Sequence, residues 1–234
     1  MQITERQNQI LDKLIEEHIS SAQPVSSQSL EKKYNLGFSP ATIRNEMHQL
    51  TEAGYIYQPH TSAGRLPTDK GYRFYVDNLL KEKKDTKTSS EFDNLFEEGA
   101  EDEARLLQSI VRDLAKSSSS MAFICNLDEK IFWKEGLTIF KEPEFREAKL
   151  FESFTGFLEE FEKDIEDFKL ASDLEIFIGK ENPFYNSREF SIIISQCNFH
   201  GEERGLLGII GPKRMAYRKS INSINNLTEI LKNL

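Results

Sequence analysis

The chain has 234 residues, 38% of them hydrophobic and 29% charged, enough for one large or two small domains with true cores and too apolar for wholesale disorder. No apolar run is long enough to span a bilayer and the N-terminus is polar, unlike a signal peptide, so a cytoplasmic protein is expected. The formal net charge of −9 is unevenly spread: residues 1–84 hold 11 Lys and Arg against 10 Asp and Glu, and the remainder carries the acidity. Any affinity for a polyanion must therefore come from local placement of cations, with strong salt dependence, while the acidic remainder limits non-specific binding.

Thr4 stands three residues before Gln7, the spacing of a capping box, and opens a helix whose apolar stripe is Ile10, Leu11, Leu14 and Ile15. Pro24 follows its end near Ala22 and Gln23. Ser26 or Ser27 can cap a second, short helix that carries Leu30 and ends near Tyr34, and Asn35 and Gly37 supply the turn after it. Ser39-Pro40 starts a third helix, because a Ser cap followed by Pro at the first helical position wastes no backbone donor. Ile43, Met47 and Leu50 face its core side, and Gly54 closes it as a left-handed cap. Tyr55-Ile56-Tyr57 reads as a strand, 59–64 as the turn of a wing, and Arg65-Leu66-Pro67 as the return strand. Thr68 and Asp69 then cap a fourth helix with Tyr72, Tyr75, Val76 and Leu79 on one face.

This order of elements predicts a winged helix-turn-helix, in which the later helix enters the major groove. Its polar front carries Thr42, Arg44, Asn45, His48 and Gln49 behind the exposed helix start at Ser39. Arg can fork to guanine, Asn can pair with adenine, and Thr can bond a base or touch a thymine methyl. A free helix N-terminus can hold a phosphate. The wing residues His60, Thr61, Ser62 and Arg65 suit phosphate and minor-groove contact, and Lys70 and Arg73 add cations on the next helix. Taken alone, a Ser-Pro-started helix with a polar front is weak evidence, since many such helices are merely solvated. The two helices before it and the wing after it turn the reading toward DNA. His18 reads as a solvated helix residue, and His48 fits plain surface as well as it fits nucleic acid.

Residues 81–103 read as a polar and then acidic linker, with a helical turn suggested by Phe92, Leu95 and Phe96. Leu106, Leu107, Ile110, Val111 and Leu114 form the next helical stripe, broken by the serines from Ser117 to Ser120. Met121–Cys125 and Ile131–Trp133 read as a hairpin. Pro143 precedes a long Phe-rich helix holding Leu150, Phe151, Phe154, Phe157, Leu158, Phe161, Ile165 and Phe168, whose stripe is read as core, with part of it available to a subunit interface. Leu174–Ile178, Phe190–Phe199 and Gly205–Gly211 read as strands of one sheet, with the turn between the last two at 200–204. Ile192–Ile194 is continuous enough to be buried on both faces. Tyr217, Ile221, Ile224 and Leu227 mark the last helix. Cys125 and Cys197, both in strand-like runs, read as buried thiols. No CxxC, clustered His or P-loop suggests a metal or cofactor, and none is expected. No nucleophile–base pair or paired carboxylate suggests an enzyme. Glu181, Asn182, Arg204, Lys213 and Arg214, near sheet ends, are read as turn caps or interface groups ahead of a ligand site.

The segments SPATIRNEM and QPHTSAGRLPTDKGYRFYVD resemble the DNA-binding domain of the HrcA heat-inducible transcription repressors. TERQNQIL, PVSSQSL, GLTIFKEPEF, IGKENPF and GLLGIIGPKRMAYRKSI extend the resemblance over most of the chain. It implies an α+β protein: a winged helix-turn-helix over 1–80, the linker over 81–103, and a reduced GAF-like α/β domain with an antiparallel sheet over 104–234. It also implies a repressor of chaperone operons that binds an inverted-repeat operator in double-stranded DNA as a homodimer, kept active by the chaperonin GroEL. The family's further strands and inserted dimerising domain have only about twenty residues, Lys116 to Glu135, in their place here, so a short form is expected. Two other readings stay open from the residues. One is a winged-helix regulator of other genes that senses a small ligand in its C-terminal domain. The other is an acidic interaction protein whose winged helix binds protein.

Overall fold

A computed structural model describes residues 3–82, 103–199 and 204–232. The expected linker and its Phe92–Phe96 turn fall outside these residues except at their margins, as does the turn expected at 200–204 except for Arg204. The chain divides into two compact units, Met1–Lys83 and Lys84–Leu234.

In the first unit the caps anticipated from sequence are formed. Helix α1, Glu5–Ser21, begins at Thr4, whose Oγ1 accepts from the Gln7 N–H at 3.2 Å while Gln7 Oε1 accepts from the Thr4 N–H at 3.1 Å. Ile10, Leu11, Leu14 and Ile15 are fully buried, each contributing roughly 1.5–3 kcal/mol of transfer free energy before ordering costs. Ser26, rather than Ser27, caps α2, Ser27–Tyr34, because its side chain accepts from the Ser29 N–H at 3.1 Å while Ser27 is buried in the first turn. Ser39 caps α3, Pro40–Glu52, and Ile43, Met47 and Leu50 are buried behind it. Gly54, at φ 76°, ends α3: its N–H bonds the Thr51 carbonyl and the Tyr55 N–H bonds the Leu50 carbonyl, both at 3.0 Å.

The wing strands β1, Ile56–Tyr57, and β2, Leu66–Pro67, run antiparallel with Ile56 opposite Pro67. Each is one residue shorter than expected, because its neighbour pairs elsewhere. The Tyr55 carbonyl takes the Thr68 N–H, and Arg65 forms a separate bridge with Val25. Thr68 then caps α4, Asp69–Lys81, in which Tyr72, Tyr75 and Val76 are buried and Leu79 is half-buried.

The second unit is a five-stranded antiparallel sheet in the order β4-β3-β7-β6-β5. Its strands are β3, Met121–Asn126; β4, Ile131–Glu135; β5, Leu174–Ile178; β6, Phe190–Asn198; and β7, Arg204–Pro212. Helices α5, Glu103–Ser118, and α7, Tyr217–Leu231, pack on one face. Helix α6, Ala148–Asp164, covers the other, where Phe154 meets Phe190 with ring centroids 4.9 Å apart and Phe161 meets Phe123 at 4.9 Å. Being covered on both sides, β6 is buried without a break from Phe190 to Ser195, as its apolar run anticipates. This is an α/β domain with an antiparallel sheet, as expected after the winged helix, and the chain is α+β. No helix among the described residues is long and apolar enough to cross a membrane.

The Phe-rich helix is shorter than its pattern suggests. Pro143 heads a separate 3-10 turn, Pro143–Arg146, which ends at Glu147 in extended backbone. Ile165 lies in a second 3-10 turn, and Phe168 lies beyond it. The apolar period continues because these turns pack on the same core, with Ile165 fully buried and the Phe168 and Phe184 ring centroids 4.9 Å apart. Arg214 fixes the first turn: its guanidinium bonds Glu142 at 2.5 Å and Glu144 at 2.6 Å and is only 10% exposed. Burial opposes the Arg214 charge, but bonds to Glu144 and then Glu142 more than offset this and hold its pKa above the ordinary arginine value. Cys125 lies opposite Leu206 and Cys197 opposite Gly205. Since consecutive residues of β7 face opposite sides of the sheet, the two thiols cannot form a bridge. Burial raises the Cys125 thiol to about 11 and pushes that of Cys197 higher still.

Replacing Arg214 by Met leaves two half-buried carboxylates side by side, and should lower stability by about 2–3 kcal/mol in a denaturant titration. In the first unit, Glu17 accepts from Lys33 Nζ at 2.5 Å and from the Tyr34 hydroxyl at 2.9 Å. The Lys33 bond above all holds the Glu17 carboxyl below its usual range against the opposing effect of burial. A depressed carboxylate stabilises the fold above its unfolded pKa, and this is lost as pH falls through the lower, folded value. Glu17→Gln should therefore lower the melting temperature at neutral pH and flatten its decline below about pH 4.5.

Candidate nucleic-acid interface

The polar front of α3 is built from its start. Ser39 Oγ accepts from the Thr42 N–H at 3.1 Å and lies 3.0 Å from the Thr42 hydroxyl, which fixes both side chains at the first turn. Arg44, Asn45 and His48 are exposed on the following turns, opposite the buried Ile43, Met47 and Leu50. His48 Nδ1 lies 3.8 Å from Glu52, one turn on. Gln49 departs from the expected front: it turns toward α1, where its Oε1 accepts from Gln7 Nε2 at 2.7 Å. The same Gln7 nitrogen reaches Glu46 at 3.0 Å, and Arg6 pairs with Glu46 at 3.1 Å. The residue that caps α1 thus also holds the flank of α3.

The wing presents His60, Thr61 and Ser62 to solvent. Gln58 shapes its tip, donating from Nε2 to the carbonyls of Thr61 and Ala63 at 2.9 Å each. Arg65 is half-buried, and its Nε donates to Thr51 Oγ1 at 3.2 Å; the Thr51 hydroxyl in turn donates to the Met47 carbonyl at 2.8 Å. Arg65 is therefore anchored on the last turns of α3.

A single open groove joins these parts. Arg44, Thr61, Ser62 and Arg65 line it together with Ser26 and Gln28 from the start of α2. Of the last two, the sequence marks Ser26 only as a cap, and Gln28 carries no local signal; only the fold brings α2 to the wing. Lys70 and Arg73 lie elsewhere. Lys70 Nζ donates to the Ala53 carbonyl at the C-terminal end of α3, at 2.7 Å, and sits 4.2 Å above the Tyr55 ring. Arg73 lies 3.5 Å from Asp77 along α4. Arg, Asn and Thr side chains on an exposed helix face carry the donors and acceptors that match base edges, and hydroxyls and a cation along a neighbouring groove suit a phosphodiester backbone.

The polar groups near the sheet ends of the second unit serve the fold. Asn182 Nδ2 donates to the carbonyls of Gly179, Ser187 and Phe190 at 2.7–3.1 Å, and Glu181 accepts from the Ile178 N–H at 3.1 Å. Arg204 pairs with Asp128 at 2.7 Å and Lys213 with Glu189 at 3.3 Å.

Known proteins align with this chain over both units. A chain in Thermoanaerobacter sp. (strain X514), named heat-inducible transcription repressor HrcA, is 29% identical over an alignment of 334 positions that takes in all of this chain and 97% of the relative. About 100 of those positions have no residue in this chain, in keeping with a short form. The protein of the same name in Symbiobacterium thermophilum is 46% identical over 114 residues, 49% of this chain and 33% of its own. A crystal structure described as that of a hypothetical protein superposes with a TM-score of 0.78 at 21% identity, covering 99% of this chain and 98% of its own, and so shares the fold. The family model for the HrcA protein C terminal domain matches residues 74–221, from α4 through the sheet into α7. With that match over more than half its length, the chain belongs to the HrcA family.

Proposed function

We propose that this protein is a DNA-binding repressor of transcription that controls chaperone genes and binds an inverted-repeat operator as a homodimer in the cytoplasm. The observation that carries this reading is the groove in which Arg44 of α3 meets Thr61, Ser62 and Arg65 of the wing, beside the exposed front of the same helix. In this reading α3 enters the major groove, where Arg44, Asn45, Thr42 and His48 meet base edges. Ser39 lies at the helix start near a phosphate, and the wing with His60 follows the adjacent backbone. Lys70 and Arg73 act through long-range charge, since both already hold partners within the fold. A winged helix alone reads few base pairs, and a twofold dimer doubles its contacts on an inverted repeat. The name shared by the relatives supports heat control, and the chaperonin GroEL is the proposed partner that keeps the repressor competent.

The direct test is titration of the purified protein against a labelled inverted-repeat duplex and a scrambled one across a salt series. Two protomers per site, selective and salt-sensitive, are expected; equal weak binding to both duplexes would falsify the operator reading. Arg44→Ala should cost roughly tenfold or more on the operator and relax its preference over the scrambled duplex. Arg65→Ala should weaken both duplexes alike and flatten the salt dependence. After a heat pulse, operator affinity should recover faster with chaperonin and ATP than without, and equal recovery removes the chaperonin from the scheme.

A further inference from the structure

The wing is held at two places. At its tip, Gln58 spans the loop and binds the Thr61 and Ala63 carbonyls. At its base, Arg65 exchanges backbone hydrogen bonds with Val25, the Arg65 N–H to the Val25 carbonyl at 2.8 Å and the Val25 N–H to the Arg65 carbonyl at 2.9 Å. This exchange forces the chain at Gly64 against the segment that leads into α2. A Cβ on Gly64 would stand 2.5 Å from the carbonyl carbon and oxygen of Val25 and 2.8 Å from the carbonyl carbon of Pro24. Those are backbone atoms flanked by a buried Val25, so they cannot swing aside as a flexible side chain would. Glycine is required here by space.

The seam decides where the wing stands relative to α3. Val25 immediately precedes the cap of α2, and the groove it lines is lined as well by Arg44 from α3 and by Thr61 and Ser62 of the wing. Arg65 reaches past the seam to Thr51 on α3, so the residue that leads into β2 is tied both to α3 and to the segment that enters α2.

We propose that Gly64 and Gln58 are positioning residues for DNA: Gly64 lets the wing close on the entry of α2 and Gln58 holds the wing tip in shape, so that Arg44 at the base edges and the wing hydroxyls at the adjacent backbone engage DNA as one preformed unit. This rests on the DNA reading above. Groups held in place before binding lose no freedom on contact, whereas a wing cut from its seam has to be ordered at each encounter. Preorganisation also leaves a mark that simple damage does not. Residues on one rigid frame are coupled, so the effect of removing one depends on the other, while residues on separate moving parts act independently.

The experiment uses the full chain with Gly64→Ala, Gln58→Met and Arg44→Ala, singly and in pairs, titrated against the labelled inverted-repeat duplex over a salt series, with the melting temperature of each variant recorded. Gly64→Ala and Gln58→Met should each weaken binding about tenfold and lower the salt slope by about one phosphate contact. Arg44→Ala should then cost distinctly less in either background than in the wild type, at unchanged melting temperature for Gln58→Met. If Gly64→Ala does not fold, Gln58→Met decides alone, because its two bonds lie within the wing tip. Wild-type affinity in Gln58→Met, or losses that simply multiply with that of Arg44→Ala, overturns the proposal. A wild-type protein that ignores the operator sinks the DNA reading itself, which is a different result from any of these.

Discussion

The reading surface depends on burial of the back of α3. Ile43, Met47 and Leu50 are at most 4% exposed, and this one stripe fixes which side chains of a thirteen-residue helix face outward. The helix is also held at its ends and along its flank. Ser39 closes the start, the Gly54 turn closes the finish, Lys70 takes the Ala53 carbonyl, and Gln7 binds Glu46 and Gln49 from the side. A helix packed by its apolar stripe alone could still rotate or slide by part of a turn. Polar ties at separate points remove that freedom, each contributing roughly 0.5–1.5 kcal/mol net. Arg44, Asn45 and His48 are outward because Ile43, Met47 and Leu50 are committed inward.

Much of this was legible in the sequence, for a physical reason. Thr4 with Gln7, Ser39 with Pro40, Gly54, and Thr68 are short-range devices, whose partners lie within a few residues, so spacing alone identifies them. The apolar stripes were equally readable, since helical period and burial are two views of one geometry. The Val25–Arg65 bridge, the bond from Gln7 to Gln49, and the approach of Ser26 and Gln28 to the wing join residues far apart in the chain. No local pattern announces them. Lys70 shows the same limit from the other side: a cation next to a reading motif suggests phosphate, and only the fold reveals the Ala53 carbonyl beneath it. In the second unit the strands were visible but not their order, and Ile165 and Phe168 extended a helical pattern beyond the helix because 3-10 turns can face the same core.

The two units are stabilised in different ways. The first combines a small, mainly aliphatic core with many caps and side-chain ties, as suits a unit that must display polar groups in fixed places. The second is filled by aromatic rings, with Phe154, Phe157 and Phe161 of α6 meeting Phe123, Phe184 and Phe190 at centroid distances of 4.8–6.4 Å. Rings packed mostly edge-to-face fill space densely with few rotamers to fix, which suits a domain that keeps a sheet covered on both sides. The uneven charge follows the same division. The near-neutral first unit places its cations singly, and several are already paired within it, so selectivity rests on a few side chains at defined positions.

The thiols of Cys125 and Cys197 give the sheet a pair of built-in clocks. One sulfur lies in the core beneath α6, on the strand that pairs with β7 from one side; the other lies on the opposite face, on the strand that pairs with β7 from the other. Both are closed to reagents in the folded state, and their raised pKa values keep them as unreactive thiols. Alkylation of either therefore waits on an opening event, and the two rates time the loosening of the two layers separately. For a family named for its response to heat, the relative speed of those clocks as temperature rises identifies which layer gives way first.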